Sequence, residues 1–292
     1  MRTQQLESTI RVPGGRLRYF TRGSGPVLLL IAGGHGDASK SDSLADHLAD
    51  AFTVLTYDRR GLSGSTTDAP AASLAAHAED ASRLLATVTG EPAYVYGTSF
   101  GGLIALALAS RHPDQIDVVV AHEPGALCLL AGAECAAAVG DLLRVEKAFR
   151  SDGVEAAVRT FVKSFDIDPT DREPDLELSP QSPQQLANME FFIRHDLPAM
   201  LSHLVELSDL RDSAVEVVPA VGASSAHLWP HRCGRLLAER LDLPYETFPG
   251  GHNGYVFRPR ETAERLREVL SRPRRSRDDR ATPRRTRVGR PG

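Results

Sequence analysis

The chain has 292 residues, of which 41% are hydrophobic and 25% are charged, a length that suits one large domain or two small ones. Its apolar runs are far shorter than the roughly 20 residues that cross a membrane. No apolar segment of the kind found in a secretory signal follows the polar first residues, and the 3 cysteines are too few for a disulfide framework. We therefore expect neither a fibrous nor a membrane protein but a cytoplasmic one, and the formal charge of −4 says little about its substrate.

The first half of the chain alternates strand and helix patterns. Continuous apolar runs predict buried strands, and apolar residues at helical spacing predict the helices between them. The predicted strands cover residues 16–21, 27–32, 52–57, 93–97 and 118–124, and the predicted helices cover residues 43–51, 73–89 and 100–111. This repetition predicts an α/β fold with a mostly parallel sheet and right-handed crossovers.

A helical segment interrupts the alternation after Pro124. Helical patterns occupy residues 142–149, 154–165, 183–194 and 197–207, and strand and helix patterns return at residues 216–224, 231–241, 245–248 and 262–270. We predict an α/β core made of residues 1–124 and 214–271. Residues 125–213 should form a helical lid over the carboxyl edge of the sheet, where ligands bind in such folds.

The chain ends in an arginine-rich segment, residues 272–292. It contains nine arginines and two aspartates, about +7 in charge, which leaves about −11 on the remainder. Its prolines, few apolar residues and lack of periodicity predict a disordered tail. A basic arm alone is weak evidence for binding nucleic acid, so we expect a solvated extension and no nucleic-acid partner.

A G-x-S-x-G pattern, Gly97-Thr-Ser99-Phe-Gly101, lies between a predicted strand and a predicted helix. Small residues two positions on either side of the serine allow a tight turn that lifts its hydroxyl clear of the sheet. The strand before the motif and the helix after it are the context that supports this interpretation. The sequence therefore indicates Ser99 as a nucleophile.

A serine hydroxyl is a weak nucleophile without an adjacent base, which directs attention to the histidines late in the chain. His252 lies in Phe248-Pro-Gly-Gly-His-Asn-Gly-Tyr, directly after the last predicted strand. A glycine-rich loop at that point can fold back over the same edge of the sheet as Ser99. We predict that His252 is the base.

An oxyanion hole needs two N–H groups that point at one position. Phe100, the residue after the nucleophile, supplies one of them. The second should come from the loop after the first buried strand, Ala32-Gly-Gly-His-Gly-Asp37, because glycines let backbone amides face a ligand. Gly34 is the predicted donor, and its neighbour His35 is the alternative.

With these motifs the chain resembles the α/β-hydrolase fold superfamily, and within it the small-molecule hydrolases of bacteria rather than lipases. The resemblance covers about residues 16–270 and includes IAGGHGDA, YDRRGLSGS, GTSFGG, RHPDQIDVVVAHEP, FFIRHDLPA and GGHNGY. It implies an eight-stranded sheet, a helical cap, and a serine, an acid and a histidine that act without cofactor or metal.

The sequence departs from this family at the acid. The family's carboxylate usually follows the strand matched here by residues 217–221, but this chain continues with Gly222-Ala-Ser-Ser-Ala-His and has no carboxylate until Glu239. Some members take the acid from the preceding strand, and this makes Glu123 the best substitute. Alternatively, Glu123 only anchors the start of the lid and the acid is absent.

Three functions fit the fold. The first is hydrolysis of a small-molecule ester, lactone or amide by Ser99, His252 and Glu123 with the oxyanion donors Gly34 and Phe100. The second is a non-hydrolytic reaction, a lyase or cyclisation step, with His252 or His195 as acid or base. The third is a degenerate ligand-binding protein.

The remaining sequence expectations concern ligands and partners. His35 and His195 are candidate substrate-binding residues. His227, His231 and Cys233 resemble a metal cluster only superficially, because Pro230 interrupts the helix that their spacing would need. We expect no metal, no cofactor and no membrane partner, only a small-molecule substrate, and a monomer or homodimer.

Overall fold

The computed structural model describes residues 4–68, 73–178, 180–202, 205 and 207–273. In this part of the chain one sheet contains nine strands. They are β1 Leu6–Val12, β2 Gly15–Arg22, β3 Val27–Ile31, β4 Thr53–Tyr57, β5 Thr66–Thr67, β6 Ala93–Thr98, β7 Ile116–His122, β8 Glu216–Gly222 and β9 Glu246–Phe248.

The strand order is β1-β2-β4-β3-β6-β7-β8-β9, with the short β5 paired to β2. The pairs that involve β1 and β2 are antiparallel, and all pairs from β4 to β9 are parallel. The carboxyl ends of β3, β6, β7, β8 and β9 therefore share one edge of the sheet. Loops that leave these strands can bring side chains from distant parts of the sequence together.

Eleven α-helices of the described chain surround the sheet. They are α1 Asp42–Leu48, α2 Leu74–Val88, α3 Phe100–Arg111, α4 Gly132–Asp152, α5 Val154–Ser164, α6 Pro183–Phe191, α7 Leu197–Ser202, α8 Leu207–Asp212, α9 Trp229–Leu241, α10 Gly254–Phe257 and α11 Pro259–Leu270. Side chains alternate between the two faces of a strand. On β3, Leu28 and Leu30 therefore join the core under α1 and α11, whereas Leu29 and Ile31 join the core under α2 and α3.

The segment between β7 and β8 forms helices α4 to α8, and its described residues contain no strand. We call residues 127–212 the helical insertion. A π-helical turn, Phe192–Asp196, joins α6 to α7. Apolar residues of the insertion, such as Phe161, Phe192 and Met200, belong to the same core cluster as residues of α3. The insertion is therefore packed onto the sheet domain.

The structure corrects several sequence-based details. The strand predicted as the first, at 16–21, is preceded by β1, which lies at the edge of the sheet and is exposed at five of its seven residues. The resemblance implied eight strands, and the ninth is the two-residue β5. The helix predicted at 142–149 begins ten residues earlier, at Gly132. Arg272, which we placed in the tail, contacts Glu246 through an ion pair, and residues 274–292 lie outside the described chain.

The structure also bears on the cysteines and on membrane crossing. All three cysteines are free, and Cys233 is buried. Among the described residues, no helix combines the length and the apolar character that crossing a bilayer requires.

Candidate active site

Ser99 occupies a strained turn between β6 and α3. Its backbone has φ 54° and ψ −120°, which is rare for a residue that carries a side chain. A Cβ atom on Gly97 would overlap the backbone of Gly101, and one on Gly101 would overlap the backbone of Ile31. The glycines of the motif are therefore a steric requirement of this turn, which places Ser99 at the wall of a cavity.

Glu123 follows β7 directly and lies at the same sheet edge as Ser99. It is fully buried, 0% exposed, and has φ 44°. Its Oε2 lies 2.7 Å from Nδ1 of His252. A carboxylate can only accept a hydrogen bond, so Nδ1 carries the proton and Nε2 of His252 is the free acceptor. The structure thus brings the candidate acid to the candidate base.

The other carboxylate oxygen of Glu123 is held by residues at the end of β8. Oε1 accepts hydrogen bonds from the Gly222 N–H at 2.8 Å and from the Ser225 hydroxyl. This is the part of the chain where the family usually carries its acid. In this chain the same segment instead donates hydrogen bonds to Glu123, which follows the neighbouring strand β7. The carboxylate of Glu123 thus lies beside the segment in which the family usually carries its acid.

The charge of Glu123 is stabilised by its neighbours. Burial alone would raise the pKa of this carboxyl, but the imidazoles of His231 and His252 outweigh burial and hold the pKa well below its usual value. Nδ1 of His231 lies 3.5 Å from Oε1, an ion-pair distance. Glu123 is therefore ionised at neutral pH, as a residue that orients an imidazole must be.

His252 is presented by the loop after β9 and is 4% exposed. The ring of Phe165, from the helical insertion, stacks on its imidazole with a centroid distance of 5.3 Å and an interplanar angle of 24°. Stacking on Phe165 restricts tilting of the imidazole ring, and the hydrogen bond from Nδ1 to Glu123 restricts rotation of the ring about its bond to Cβ. Both contacts reduce its rotational freedom.

The loop after β3 lies against Ser99. A Cβ atom on Gly33 would be 2.9 Å from Cβ of Ser99, so only glycine fits there. The carbonyl of Gly33 accepts a hydrogen bond from the Gly36 N–H at 2.8 Å. In a trans peptide the N–H points opposite to the carbonyl, so the Gly34 N–H points out of this turn. Phe100 begins α3, where N–H groups have no partner within the helix.

A buried arginine, Arg59, fixes the carbonyl groups of the same loop. Its guanidinium donates to Ala32 O at 3.0 Å, to Gly36 O at 3.2 Å and to Gly34 O. It also forms a 3.2 Å ion pair with Asp196 of the helical insertion, whose second oxygen lies 3.1 Å from Nε2 of His77. Burial would raise the pKa of the Asp196 carboxyl, but His77 and Arg59 lower it.

Ser99 and His252 line one cavity of about 430 Å³, between the loop after β3, the helical insertion and the loop after β9. This volume suits a small organic molecule. Its walls are mainly apolar and include Phe161, Val162 and Met189. The helical insertion therefore determines much of the shape of the cavity.

Two ionisable residues of the loop after β3 also line this cavity. Burial lowers the pKa of His35 to about 4, so His35 is neutral at neutral pH. Its ring meets Phe161 edge to face at 5.5 Å. Lys40 is half-buried, and burial lowers the pKa of its ammonium group while Asp37 opposes this effect. The predicted binding residue His35 thus lies at the cavity.

His195, the other predicted binding residue, is not brought to the cavity. It lies in the π-helical turn and packs on Phe191 at 4.6 Å. The next residue, Asp196, faces inward instead, because it pairs with Arg59. A substrate-binding role of His195 therefore stays a prediction.

His227, His231 and Cys233 diverge in the structure. His227 pairs with Asp166 at 3.2 Å, His231 faces Glu123, and the thiol of Cys233 is 3.5 Å from the Ala126 carbonyl oxygen. Among the described residues no group of three or more His, Cys, Asp or Glu is arranged to hold a metal ion.

The family model of the alpha/beta hydrolase fold matches residues 26–158. A hydrolase of Bacillus subtilis (strain 168), YraK, is 37% identical over 270 residues, which cover 90% of this chain and 96% of the relative. A zearalenone hydrolase of Cladophialophora bantiana is 24% identical over 92% of this chain and 98% of its own. The chain belongs to the α/β-hydrolase family, as the motifs indicated, and these relatives support a hydrolase activity.

Solved structures agree on the fold. The naproxen esterase of Bacillus subtilis is similar with a TM-score of 0.70 at 15% identity, over 92% of each chain. A thermophilic esterase of Thermogutta terrifontis has a TM-score of 0.69 at 20% identity, over 91% of this chain and 98% of its own. At these identities the likeness concerns the architecture alone.

Several residues of the site had no signal in the sequence. Ser225 and His231 reach Glu123 only through the packing of β8 and α9 beside β7. Arg59 reaches the loop after β3 because β3 and β4 are neighbours in the sheet. The one sequence signal for Arg59 is its place in a polar segment, Asp58-Arg59-Arg60, that follows the buried strand β4.

Proposed function

We propose that the protein is a serine hydrolase that cleaves an ester, lactone or amide bond of a small molecule. The observation that carries this proposal is the 2.7 Å contact between His252 and the buried Glu123, made by an imidazole that lines the same cavity as Ser99. A hydroxyl needs an adjacent base at neutral pH, and that base needs an acceptor to fix its tautomer. Esterases are among the solved structures with this fold.

In the proposed reaction Oγ of Ser99 attacks the carbonyl carbon of the substrate. Nε2 of His252 accepts the hydroxyl proton, and Glu123 stabilises the imidazolium that results. The imidazolium then returns the proton to the leaving group as its bond to carbon breaks, and an acyl-serine remains. A water molecule, deprotonated by His252, attacks the acyl carbon, releases the acid and restores the hydroxyl.

The negative oxygen of each tetrahedral intermediate would be bound by the N–H groups of Gly34 and Phe100. The proposal assigns these roles because Gly33 and the start of α3 both lie against Ser99. Arg59 holds three carbonyl oxygens of the loop and so fixes the orientation of its peptides before substrate arrives. Such preorganisation stabilises charge without reorganisation during the reaction.

The test combines covalent labelling with turnover. A fluorophosphonate probe should label the native protein on Ser99, and 4-nitrophenyl butyrate should be hydrolysed. Ser99→Ala should abolish labelling and lower kcat by at least about ten-thousandfold. Ser8→Ala, which changes an exposed serine on β1, should leave both unchanged.

Two results would contradict the proposal. One is turnover that survives in Ser99→Ala, which would indicate a non-hydrolytic or differently catalysed reaction. The other is a native protein that binds esters but is neither labelled nor active on esters, lactones or amides, which would indicate a ligand-binding protein.

A further inference from the structure

Lys40 is the residue of the cavity that the proposed reaction does not use. It lies in a single turn of 3₁₀-helix, Ala38–Ser41, directly after the loop that contacts Ser99. Lys40 lines the cavity together with Ser99 and His252. The chain has only three lysines, so most of its 34 basic residues are arginines. A cation in the wall of a small-molecule cavity points to recognition of an anion.

The ammonium group of Lys40 forms no ion pair among the described residues, and the charge of the neighbouring Asp37 acts on it only through space. Among the described residues, no carboxylate oxygen lies within ion-pair distance of it. The neighbouring Asp37 is engaged elsewhere: its Oδ1 accepts hydrogen bonds from Ser39, and its Oδ2 accepts them from Ser63 at 2.6 Å and from Asn188 at 3.1 Å. Lys40 therefore has its hydrogen-bond donors available for a ligand.

The cavity wall carries no compensating charge either. None of its described lining residues is an aspartate or a glutamate, and His35 is neutral. The polar side chains that remain include the amides of Gln181, Gln185 and Asn253, which can bond to a carboxylate but cannot neutralise a cation. A half-buried ammonium that has no carboxylate within ion-pair distance is stabilised further when an anion enters.

We propose that the substrate class consists of esters or amides whose acyl part carries a carboxylate, and that Lys40 binds this carboxylate while Ser99 attacks the ester or amide carbonyl. This inference rests on the proposed serine hydrolase function. Lysine supplies a compact charge with three donors on a flexible stem, so it can follow a carboxylate at the end of an acyl chain.

The test compares matched acyl chains. The native protein is assayed with the mono-4-nitrophenyl esters of glutarate, adipate and suberate and with the 4-nitrophenyl esters of pentanoate, hexanoate and octanoate. The measured quantity is the ratio of kcat/KM for each acid-ended ester to that of its neutral counterpart. We expect a ratio of about ten or more for the best chain length.

Three variants assign the preference to Lys40. Lys40→Met, which replaces lysine by an unbranched side chain one atom shorter and without charge, should lower the ratio by about tenfold to a hundredfold. Lys40→Arg should retain most of the ratio. Lys147→Met, which removes the same charge from an exposed position of α4, should leave the ratio unchanged. A native ratio of one or less at every chain length, or an unchanged ratio in Lys40→Met, would overturn the inference.

Binding separates this inference from the hydrolase proposal. Monobutyl adipate is titrated calorimetrically into Ser99→Ala and into the double variant Ser99→Ala/Lys40→Met, neither of which can use the proposed nucleophile. A tenfold or greater loss of affinity in the double variant supports the role of Lys40 even if turnover is absent. Equal affinities would reject the role of Lys40 even if Ser99 proves to be the nucleophile.

Discussion

Glu123 combines three features that a side chain adopts only when its surroundings require them. It is fully buried, its backbone is left-handed, and its carboxylate has partners at both oxygens. A left-handed non-glycine residue and a buried charge both cost free energy, and such costs concentrate at functional sites. The role of Glu123 as the acid is therefore open to a direct mutational test.

Replacing Glu123 by glutamine keeps its shape and removes its charge. The amide nitrogen can donate to Nδ1 of His252, which would then hold its proton on Nε2 and lose the ability to accept the Ser99 proton. We expect kcat/KM on 4-nitrophenyl butyrate to fall by about a hundredfold to ten-thousandfold. Glu155→Gln, at an exposed position of α5, is the matched control.

Folding must be monitored in the same variant, because Glu123 is buried. Circular dichroism and thermal unfolding report whether the fold persists, and slower fluorophosphonate labelling of a folded protein locates the defect at the nucleophile. Near-native turnover by a folded Glu123→Gln protein would mean that Glu123 only anchors the start of the helical insertion.

Ser225 provides a weaker test of the same idea. Its hydroxyl donates to Oε1 of Glu123, and hydrogen bonds to charged groups contribute about 1.5–3 kcal/mol. Ser225→Ala should therefore reduce kcat/KM by about tenfold while the fold is retained. Ser224→Ala changes the preceding serine, which has no hydrogen bond to Glu123, and should have little effect on kcat/KM. Equal effects of the two substitutions would argue against a specific role of the end of β8.

Two buried polar side chains of α6 and the π-helical turn, Asn188 and Asp196, bond to loops of the sheet domain. Asn188 bonds to Ser63 and Asp37, and Asp196 bonds to Arg59. On a regular α-helix, at about 100° per residue, positions eight apart would point about 80° away from each other. The π-helical turn between them has wider i→i+5 bonding and removes most of that angle. This turn therefore allows both side chains to face the core.

Asp196→Asn should destabilise the protein by about 3–5 kcal/mol, because it leaves the buried guanidinium of Arg59 without its counter-charge. Urea unfolding measures this loss. Glu190→Gln is the matched control, since Glu190 pairs with Arg194 at an exposed position of the same insertion, and its loss should cost less than about 1 kcal/mol. Similar losses in the two variants would show that Asp196 does not hold the insertion.

The elements that could be predicted from the sequence are those with a strong local pattern. Buried parallel strands are continuous apolar runs, and α3 was predicted with its observed ends because a glycine motif precedes it and His112-Pro113 follows it. β1 had no such pattern, because an exposed edge strand buries too little to require apolar residues. The N-terminal half of α4 is rich in alanine and only partly buried, so helical spacing of apolar residues appears only in its second half.

Across the whole molecule, the candidate site residues that could be predicted from the sequence are those that belong to continuous motifs. Ser99 and His252 lie in glycine-rich segments directly after strands, so their place at the sheet edge follows from local sequence. Glu123 remained one of two alternatives, because only the three-dimensional contacts of β7 and β8 show that no other carboxylate reaches His252 among the described residues. The partners of Glu123 and Arg59 depend on packing between distant segments.

The stability of the whole molecule should depend on pH through His122. This residue is 1% exposed at the end of β7, packed near Tyr96 and Phe248, and neither ring nitrogen has a hydrogen-bond partner among the described residues. Burial lowers its pKa to about 4 from 6.5. Between these two pH values the unfolded chain binds a proton that the folded chain does not, so the free energy of unfolding falls as the pH decreases.

His122→Leu removes this titration and keeps an apolar group in the core. Between pH 7 and pH 5 the native protein should lose about 2 kcal/mol more unfolding free energy than the variant does. Urea unfolding at the two pH values measures the difference, and comparing the change within each protein cancels any effect of the substitution on packing. Parallel pH dependences would contradict the prediction, because they would mean that the folded protein accommodates a protonated His122 as well as the unfolded chain does.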